Sequence, residues 1–269
     1  MDGYHWKQHV KSLDERRDVV IPGDAAATIE FCADHFFRVA EDAIANHGYF
    51  AVALSGGSTP KAIFKKIKQV VSYPPNEKTQ KEFRPSIDWK RVMVFWSDER
   101  SVPPDHPDSN YKMAMEAGFG SLGISSQQIF RMHGEGDIEK HAMEYEELIN
   151  KFLPDGVFDL VMLGMGEDGH TASLFPKTHG LHPSHRLVIA NYVPKFDTWR
   201  MTLTFDCINR ARNIVIYVMG KGKAHVLERV LSSAYEPDLY PVQAIGTPAN
   251  KALLIADNEA LSDTSAIES

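Results

Sequence analysis

Short apolar segments alternate with amphipathic segments along most of the chain. The apolar segments lie at residues 49–54, 92–96, 158–165, 187–193, 201–205, 214–219 and 252–256. Several of them, such as IVIYVM at 214–219, are apolar without strict alternation. That pattern is typical of strands that are buried on both faces of a parallel sheet. We therefore predict that these segments are strands.

Helical periodicity fills several of the intervals between the strands. Apolar residues recur at helical spacing over 25–47, with Asp24 placed to cap the first turn. Further helices are predicted over 60–71, where Pro60 lies in the first turn, over 137–152 and over 222–231. Alternating strands and helices predict an α/β fold with a mostly parallel sheet and helices on both faces.

The chain of 269 residues shows no internal repeat and no convincing linker, so we predict one domain over 1–269. Polar residues at about 72–90 predict a loop, and those at about 258–269 predict a C-terminal tail that frays.

Charge and composition exclude several classes of protein. The chain has 29 basic and 36 acidic residues, a net charge of −7, which argues against a nucleic-acid partner but not against a local positive pocket. No apolar run is long enough to span a membrane and the N-terminus lacks the apolar core of a signal peptide, so we expect a cytoplasmic protein without a membrane partner. Two cysteines, Cys32 and Cys207, are too few for a disulfide scaffold or a structural zinc site.

The first loop with unusual chemistry is LSGGSTP at 54–60, directly after a predicted strand. Glycines let backbone N–H groups approach an anion, hydroxyls add donors, and the start of the next helix adds a positive dipole end. We predict a phosphate cradle formed by Ser55, Gly56, Gly57, Ser58 and Thr59. The alternative is an ordinary glycine-rich turn in which Ser58 or Thr59 caps the helix. The ending of a P-loop is missing.

Two further loops carry cationic residues. WSDER at 96–100 follows a predicted strand and places Arg100 where it can bind a phosphate in a bidentate manner. The alternative is an internal ion pair in which Arg100 and a carboxylate hold the loop. In GKGK at 220–223, Lys223 at the start of a helix also suits a phosphate, although most lysines are simply solvated.

The remaining loop, GMGEDGHT at 164–171, matches GxGxxG by spacing, but a dinucleotide site is disfavoured. Glu167 and Asp168 would repel a pyrophosphate, the next strand ends without an acidic residue, and this is not the first strand-to-helix turn. We instead predict that His170, at a helix start, is a general base supported by Asp168. Two ligands do not define a metal site, and the alternative is a surface histidine.

Together the segments LSGGSTP, SDERSVPPDHPDSNY, GMGEDGHTASLFP and GKGK resemble the 6-phosphogluconolactonase family in content, order and spacing, over about 48–231. The resemblance implies a three-layer α/β/α, Rossmann-like fold similar to that of the glucosamine-6-phosphate deaminases. It also implies hydrolysis of 6-phosphogluconolactone to 6-phosphogluconate, the second step of the oxidative pentose phosphate pathway. We expect a monomer that acts on this small phosphosugar lactone without a cofactor or a metal.

The resemblance also implies roles for individual residues. The cradle would hold the phosphate, Arg100 and Lys223 would neutralise it, and Asn110 would shape the sugar end. His170 would deprotonate the attacking water with help from Asp168. Arg200, which precedes a TLT-type strand, would bind substrate, although the family's proline-rich segment before it reads PKFDTW at 194–199 here. The predicted site is completed by Asp98, Gly166 and Gly169. The donor to the oxyanion is left open between backbone N–H groups at 166–169 and a cationic side chain.

Two other functions compete with this hypothesis. A hexosamine-6-phosphate deaminase or isomerase would need a further carboxylate, and such enzymes carry a Glu soon after the Asp-Gly-His motif. Here the continuation at 171–176 is TASLFP, without one. A non-catalytic sugar-phosphate binder would have no need of both Asp168 and His170. A serine esterase is disfavoured because no GxSxG motif occurs.

Overall fold

The computed structural model describes residues 9–72, 86–182 and 185–264. Its main sheet has seven strands in the order β1-β2-β10-β9-β6-β3-β4. The strands are β1 (Lys11–Ser12), β2 (Arg17–Val20), β3 (Phe50–Leu54), β4 (Val92–Trp96), β6 (Leu160–Gly164), β9 (Ile214–Val218) and β10 (Ala252–Ala256). Neighbouring strands pair in parallel, except that β1 pairs with β2 in the antiparallel sense.

The strands at the centre of this sheet are apolar because both of their faces are covered. All residues of β3, β9 and β10 are buried. β3 pairs with β4 over its whole length, from Phe50 opposite Val92 to Leu54 opposite Trp96. The prediction of a mostly parallel sheet is confirmed, and its carboxyl ends bring the loops after β3, β4, β6 and β9 to one edge.

The helices are α1 (Ala25–His47), α2 (Ser58–Ser72), α3 (Asn110–Ala117), α4 (Ile138–Phe152), α5 (Phe205–Asn209) and α6 (Ala224–Ser232). Asp24 caps α1 as predicted, because its side chain accepts a hydrogen bond of 2.9 Å from the N–H of Ala27. The helix α2 begins two residues before the predicted start. The short helices α3 and α5 were not predicted, since eight and five residues are too few for clear periodicity.

A second, antiparallel sheet has the strand order β5-β8-β7. It consists of β5 (Asp98–Arg100), β7 (Val188–Val193) and β8 (Thr198–Leu203). The predicted strands at 187–193 and 201–205 therefore do not join the main sheet. The second one also ends early, because Thr204 caps α5 by accepting a hydrogen bond of 3.2 Å from the N–H of Cys207. Apolar patterning does not distinguish the two kinds of sheet.

One contiguous apolar core joins the two sheets, since it includes Leu163 of β6 as well as Val188 and Met201 of the small sheet. Cys32 and Cys207 are buried, free thiols. No helix in the described parts of the chain is long and apolar enough to cross a membrane.

The two predicted polar segments are only partly described. In the predicted loop at about 72–90, residues 73–85 lie outside the described residues. The described part that follows leads into a 3-10 turn at Trp89–Arg91. The first part of the tail packs against the protein: Ala260 is fully buried and its N–H donates to Asp257 over 2.8 Å. The buried aspartate holds this turn in place. Residues 265–269 lie outside the described residues, and the fraying of the tail stays a prediction.

Candidate active site

A cavity of about 220 Å³ lies where the loops after β3, β4, β6 and β9 meet. Twelve of the fourteen predicted site residues line it: Ser55, Gly56, Gly57, Ser58, Thr59, Asp98, Arg100, Asn110, Gly166, His170, Arg200 and Lys223. The other two, Asp168 and Gly169, do not line the cavity but belong to the same loop as His170. Residues far apart in the sequence are therefore brought together as predicted.

One wall of the cavity is the start of α2. Gly57, with φ +106°, turns the chain from β3 into the helix, whose first N–H groups have no partner within it. A Cβ added to Gly56 would lie 1.9 Å from Oδ1 of Asn110, so only glycine permits this close approach. The hydroxyls of Ser58 and Thr59 make no hydrogen bond to a described residue, so neither is seen to cap the helix. The hydroxyl of Ser55, in contrast, is already bonded to Ser97 and to the carbonyl of Met162.

Glu99, which the sequence did not single out, fixes the loop that carries Asn110. Its buried carboxylate accepts hydrogen bonds from the N–H groups of Arg100 (2.8 Å), Asn110 (2.7 Å) and Tyr111 (2.9 Å), and from the hydroxyl of Ser109 (3.0 Å). Burial raises the pKa of Glu99, and the backbone N–H groups oppose that rise. Glu99 thereby anchors the start of α3 to β5.

Asp98 holds other side chains of the site. Its Oδ1 accepts a hydrogen bond of 3.2 Å from Nδ2 of Asn110, and its Oδ2 accepts one of 2.7 Å from the hydroxyl of Ser173. The side-chain amide of Asn110 also donates to the backbone carbonyl of Asp98 over 2.9 Å. Both carboxylate oxygens of Asp98 are therefore engaged within the protein.

Three cationic side chains face the cavity. Arg100 on β5 and Arg200 on β8 are direct partners in the small sheet, and Lys223 immediately precedes α6. The Nε atoms of Arg100 and Arg200 are buried without a hydrogen-bond partner. Arg100 donates to the carbonyl of Asp108 over 2.5 Å, and none of the three cations forms an ion pair with a described carboxylate. The alternative of an internal ion pair for Arg100 is therefore not observed.

The two arginines bring positive charge to the cavity without an ion pair to a described carboxylate. Burial lowers the pKa of Arg200; nearby Asp98 opposes that shift and Arg100 adds to it. A guanidinium stays protonated at neutral pH even so. Half-buried positive charge without an ion pair favours a bound partner of opposite sign, so the cavity is suited to an anion.

His170 and Asp168 form a hydrogen-bonded pair beside the cavity, with 2.5 Å between Nδ1 of His170 and Oδ1 of Asp168. Burial raises the pKa of Asp168, but hydrogen bonds from His170 and Lys195 outweigh it and hold the pKa well below its usual range. An ionised carboxylate can only accept, so Nδ1 of His170 carries the proton of this hydrogen bond, and in the neutral imidazole Nε2 keeps a free lone pair. The structure corrects one detail: no helix follows His170, because Thr171 and Leu174 form an isolated bridge.

Two glycines allow the backbone of this loop to fold tightly. A Cβ on Gly166 would lie 2.0 Å from Nδ1 of His170, and Gly169 has φ +77°. The N–H of Gly166 donates to the carbonyl of His170 over 2.8 Å, and that of Gly169 to the carbonyl of Gly166 over 3.1 Å. These two N–H groups are therefore already engaged. Within the described residues, no three His, Cys, Asp or Glu side chains cluster as metal ligands would.

Sequence reasoning missed two other residues. Lys195, in the 3-10 turn Pro194–Phe196 between β7 and β8, places its Nζ 2.7 Å from Oδ2 of Asp168. Its only signal is its place in the segment before Arg200. Tyr217 on β9 lines the cavity and its buried hydroxyl has no hydrogen-bond partner. It carries no sequence signal, because a tyrosine in an apolar strand is typical of a core residue.

The model of the family described as glucosamine-6-phosphate isomerases/6-phosphogluconolactonase matches residues 23–255. The chain belongs to this family. A relative named 6-phosphogluconolactonase from Chlamydia trachomatis serovar D is 38 % identical over 239 residues, which cover 89 % of this chain and 87 % of that protein. A protein of the same name from Synechocystis is 37 % identical over 224 residues, covering 81 % and 86 %.

Solved structures agree with the family assignment. The crystal structure of 6-phosphogluconolactonase from Thermotoga maritima superposes with a TM-score of 0.74 at 25 % identity, covering 89 % of this chain and 99 % of that one. The α/β fold class is thereby confirmed, as is the resemblance found in the sequence motifs.

Proposed function

We propose that this protein hydrolyses 6-phospho-D-glucono-1,5-lactone to 6-phospho-D-gluconate, as in the oxidative pentose phosphate pathway. One observation carries the proposal: His170, polarised by an ionised Asp168, faces the same cavity as a helix start and three cations without carboxylate partners. The names of its relatives support the same activity.

The phosphate binds at the end of the cavity formed by Gly56, Gly57 and Ser58. The first N–H groups of α2 and the Ser58 hydroxyl donate to its oxygens, while Arg100 and Lys223 balance its charge. Asn110, held by Asp98, fixes the sugar next to Gly56. A substrate that is held by its phosphate keeps its lactone carbonyl close to His170. The translational and rotational entropy needed to reach this geometry is then lost on binding and not in the chemical step.

The lactone is an activated ester, so water can attack it without a covalent enzyme intermediate. Nε2 of His170 takes a proton from the water as its oxygen bonds to the carbonyl carbon, and the carbonyl electrons move to the oxygen. The oxyanion then reforms the carbonyl and the bond to the ring oxygen breaks. The proton on His170 passes to that ring oxygen, which becomes a hydroxyl, and the new acid ionises in solvent. The N–H groups of Gly166 and Gly169 are engaged elsewhere, so the oxyanion is served by a cationic side chain or by the N–H groups of Glu167 and Asp168.

A hexosamine-phosphate deaminase is the less favoured function. Its proton transfers between neighbouring carbons need a further acid or base. Asp98 is the one carboxylate among the residues that line the cavity, and both its oxygens are held by Asn110 and Ser173. Residues of one chain fill every role proposed for lactone hydrolysis. The proposal therefore includes a monomer that acts without a metal or a cofactor.

A coupled assay tests the proposal. The lactone is generated with glucose-6-phosphate dehydrogenase, and its loss is followed with and without the purified protein, in the presence and absence of a chelator. We expect hydrolysis far above the spontaneous rate that survives the chelator. Ammonia release from glucosamine-6-phosphate is measured in parallel. No acceleration of lactone loss would overturn the proposal, and ammonia release would favour the deaminase.

A further inference from the structure

The β7–β8 hairpin lies against the proposed base on two sides. From its tip, Lys195 reaches Asp168 with 2.7 Å between Nζ and Oδ2. From the start of β8, Arg200 places its Cζ 5.6 Å from the centroid of the Phe175 ring, and that ring stacks on His170 with 3.9 Å between centroids and 22° between planes. The hairpin thus supports both partners that orient the imidazole.

The tip of the hairpin is itself well defined. Val193 and Thr198 are the last paired residues, and the N–H of Asp197 donates to the carbonyl of Pro194 over 3.2 Å to close the turn. Asp197 adopts a left-handed conformation with φ +49° and its carboxylate accepts a hydrogen bond from the hydroxyl of Tyr192. The backbone that carries Lys195 is therefore fixed, although its side chain is 55 % exposed.

We propose that Lys195 is a positioning residue that holds Asp168 in the orientation in which it fixes the proton-bearing Nδ1 of His170. This inference rests on the proposed function, in which Nε2 of His170 is the base. Lys195 lies outside the cavity lining, so the proposal is that it acts through Asp168 and not by contact with substrate. Each oxygen of Asp168 then has one partner, His170 on Oδ1 and Lys195 on Oδ2.

The electrostatic consequence has a defined sign. Lys195 offsets part of the negative charge of Asp168, so removing it leaves more negative charge beside His170 and favours the protonated imidazole. Protonated His170 cannot act as a base, so the acid limb of kcat/KM moves to higher pH. The charged groups that face His170, directly or across the cavity, are Asp168, Lys195, Asp98, Arg100, Arg200 and Lys223. Only Lys195 changes in the experiment.

The experiment compares Lys195→Met, Lys195→Arg and the wild type over about pH 5–9 in the lactone assay. For Lys195→Met we expect an acid limb about 0.2–0.7 pH units higher, because an exposed ion pair contributes that order of energy. On the plateau of the pH profile, kcat of Lys195→Met is expected to fall about three- to tenfold, which is a fraction of the rate enhancement that a general base supplies. KM is expected to change less than about twofold. For Lys195→Arg we expect the acid limb of kcat/KM at the pH at which the wild type has it. The shift between wild type and Lys195→Met narrows at high ionic strength.

Lys65→Met is the matched control, since Lys65 is an exposed lysine of α2 with no ion pair to a described residue. It is expected to match the wild type. An active wild type with an unmoved limb and unchanged kcat in Lys195→Met would overturn the inference and leave the proposed function standing.

A wild type that does not accelerate hydrolysis would instead overturn the proposed function. The contact is then still tested by the ¹⁵N resonances of the His170 ring, whose titration midpoint rises in Lys195→Met if Lys195 acts through Asp168. An unmoved midpoint would overturn the inference by itself.

Discussion

The phosphate end of the cavity, around Gly56, and the base end, around His170, are positioned by different kinds of structure. Gly56 follows β3, a fully buried strand paired over its whole length with β4. His170 lies in an irregular loop after β6, where three side chains hold it: Asp168 on its edge, Phe175 on its face and, from the β7–β8 hairpin, Lys195 behind Asp168.

This difference has a physical consequence. Backbone at the end of a central strand is fixed by many hydrogen bonds and by packing, so binding at the phosphate end depends on the sheet. The base end depends on a few side-chain contacts, each of which one substitution removes. Substitutions at the base end should therefore reduce turnover while leaving binding intact, and substitutions at the phosphate end should do the reverse.

The largest effect is expected for His170→Ala. Without Nε2 no group is in place to take the proton from water, so kcat falls about 10²–10⁴-fold. Affinity for 6-phosphogluconate, measured by calorimetry, stays within about threefold because the anion site is untouched. His225→Ala, at an exposed position of α6, is the control. A near-wild-type rate for His170→Ala would remove His170 from the mechanism.

Asp168→Asn sharpens the comparison at the same end. The amide keeps the shape but loses the charge that orients His170, so we expect kcat to fall about 10- to 100-fold, less than for His170→Ala. Binding of 6-phosphogluconate should persist. A variant with weakened binding and unchanged kcat would contradict the assignment of Asp168 to the base end.

The same variant gives a prediction for stability. The folded-state pKa of Asp168 is held below its unfolded value of about 4, so its ionisation stabilises the fold fully above about pH 4. That stabilisation is lost as the pH falls through the folded value. The melting temperature of the wild type should therefore exceed that of Asp168→Asn at neutral pH, and the gap should close in acid. A gap that is constant with pH would show that charge is not its cause.

Arg100→Ala tests the phosphate end. Loss of a charge-assisted contact worth about 1.5–3 kcal/mol should raise the Kd for 6-phosphogluconate about 10- to 150-fold, with kcat at saturation little changed. The dependence of Kd on salt should also weaken. Arg91→Ala, at an exposed arginine outside the cavity lining, is the control. Unchanged affinity in Arg100→Ala would end its role in binding phosphate.

The smallest effect is expected for Tyr217→Phe. The Tyr217 hydroxyl is buried without a partner, and leaving such a group unsatisfied costs free energy. Its removal should therefore leave the melting temperature equal or up to about 4 °C higher, with Kd within about twofold. Weaker binding of 6-phosphogluconate by the variant would instead identify the hydroxyl as a contact of the ligand at the phosphate end.

Local sequence signals predicted much of the main sheet and of the site. Strands β3, β4, β9 and β10 are apolar because both faces are covered, and Asp24 caps α1 by contacts within one helical turn. Of the twelve predicted site residues that line one cavity, eight follow the parallel strands β3, β6 and β9, which end at the same edge. The other four reach the cavity from the small sheet and the start of α3: Asp98, Arg100, Asn110 and Arg200. The role proposed for each of these residues stays a prediction.

Other features had no local signal. The small sheet was missed because an apolar segment is compatible with either kind of strand pairing, and the helix expected after His170 is replaced by an isolated bridge. Glu99 looks like one more charge in a polar loop, although it binds four groups up to 12 positions away.

By itself, the sequence determined the alternation of strands and helices, the loops that carry glycine, arginine and histidine, and the family. These features depend on backbone periodicity and on contacts between near neighbours, which the order of residues records directly. Only the tertiary structure decided that β7 and β8 form a hairpin against the cavity and that Lys195 meets Asp168, 27 positions away. Such a contact depends on how two separate segments pack, and no local pattern in either segment specifies the other.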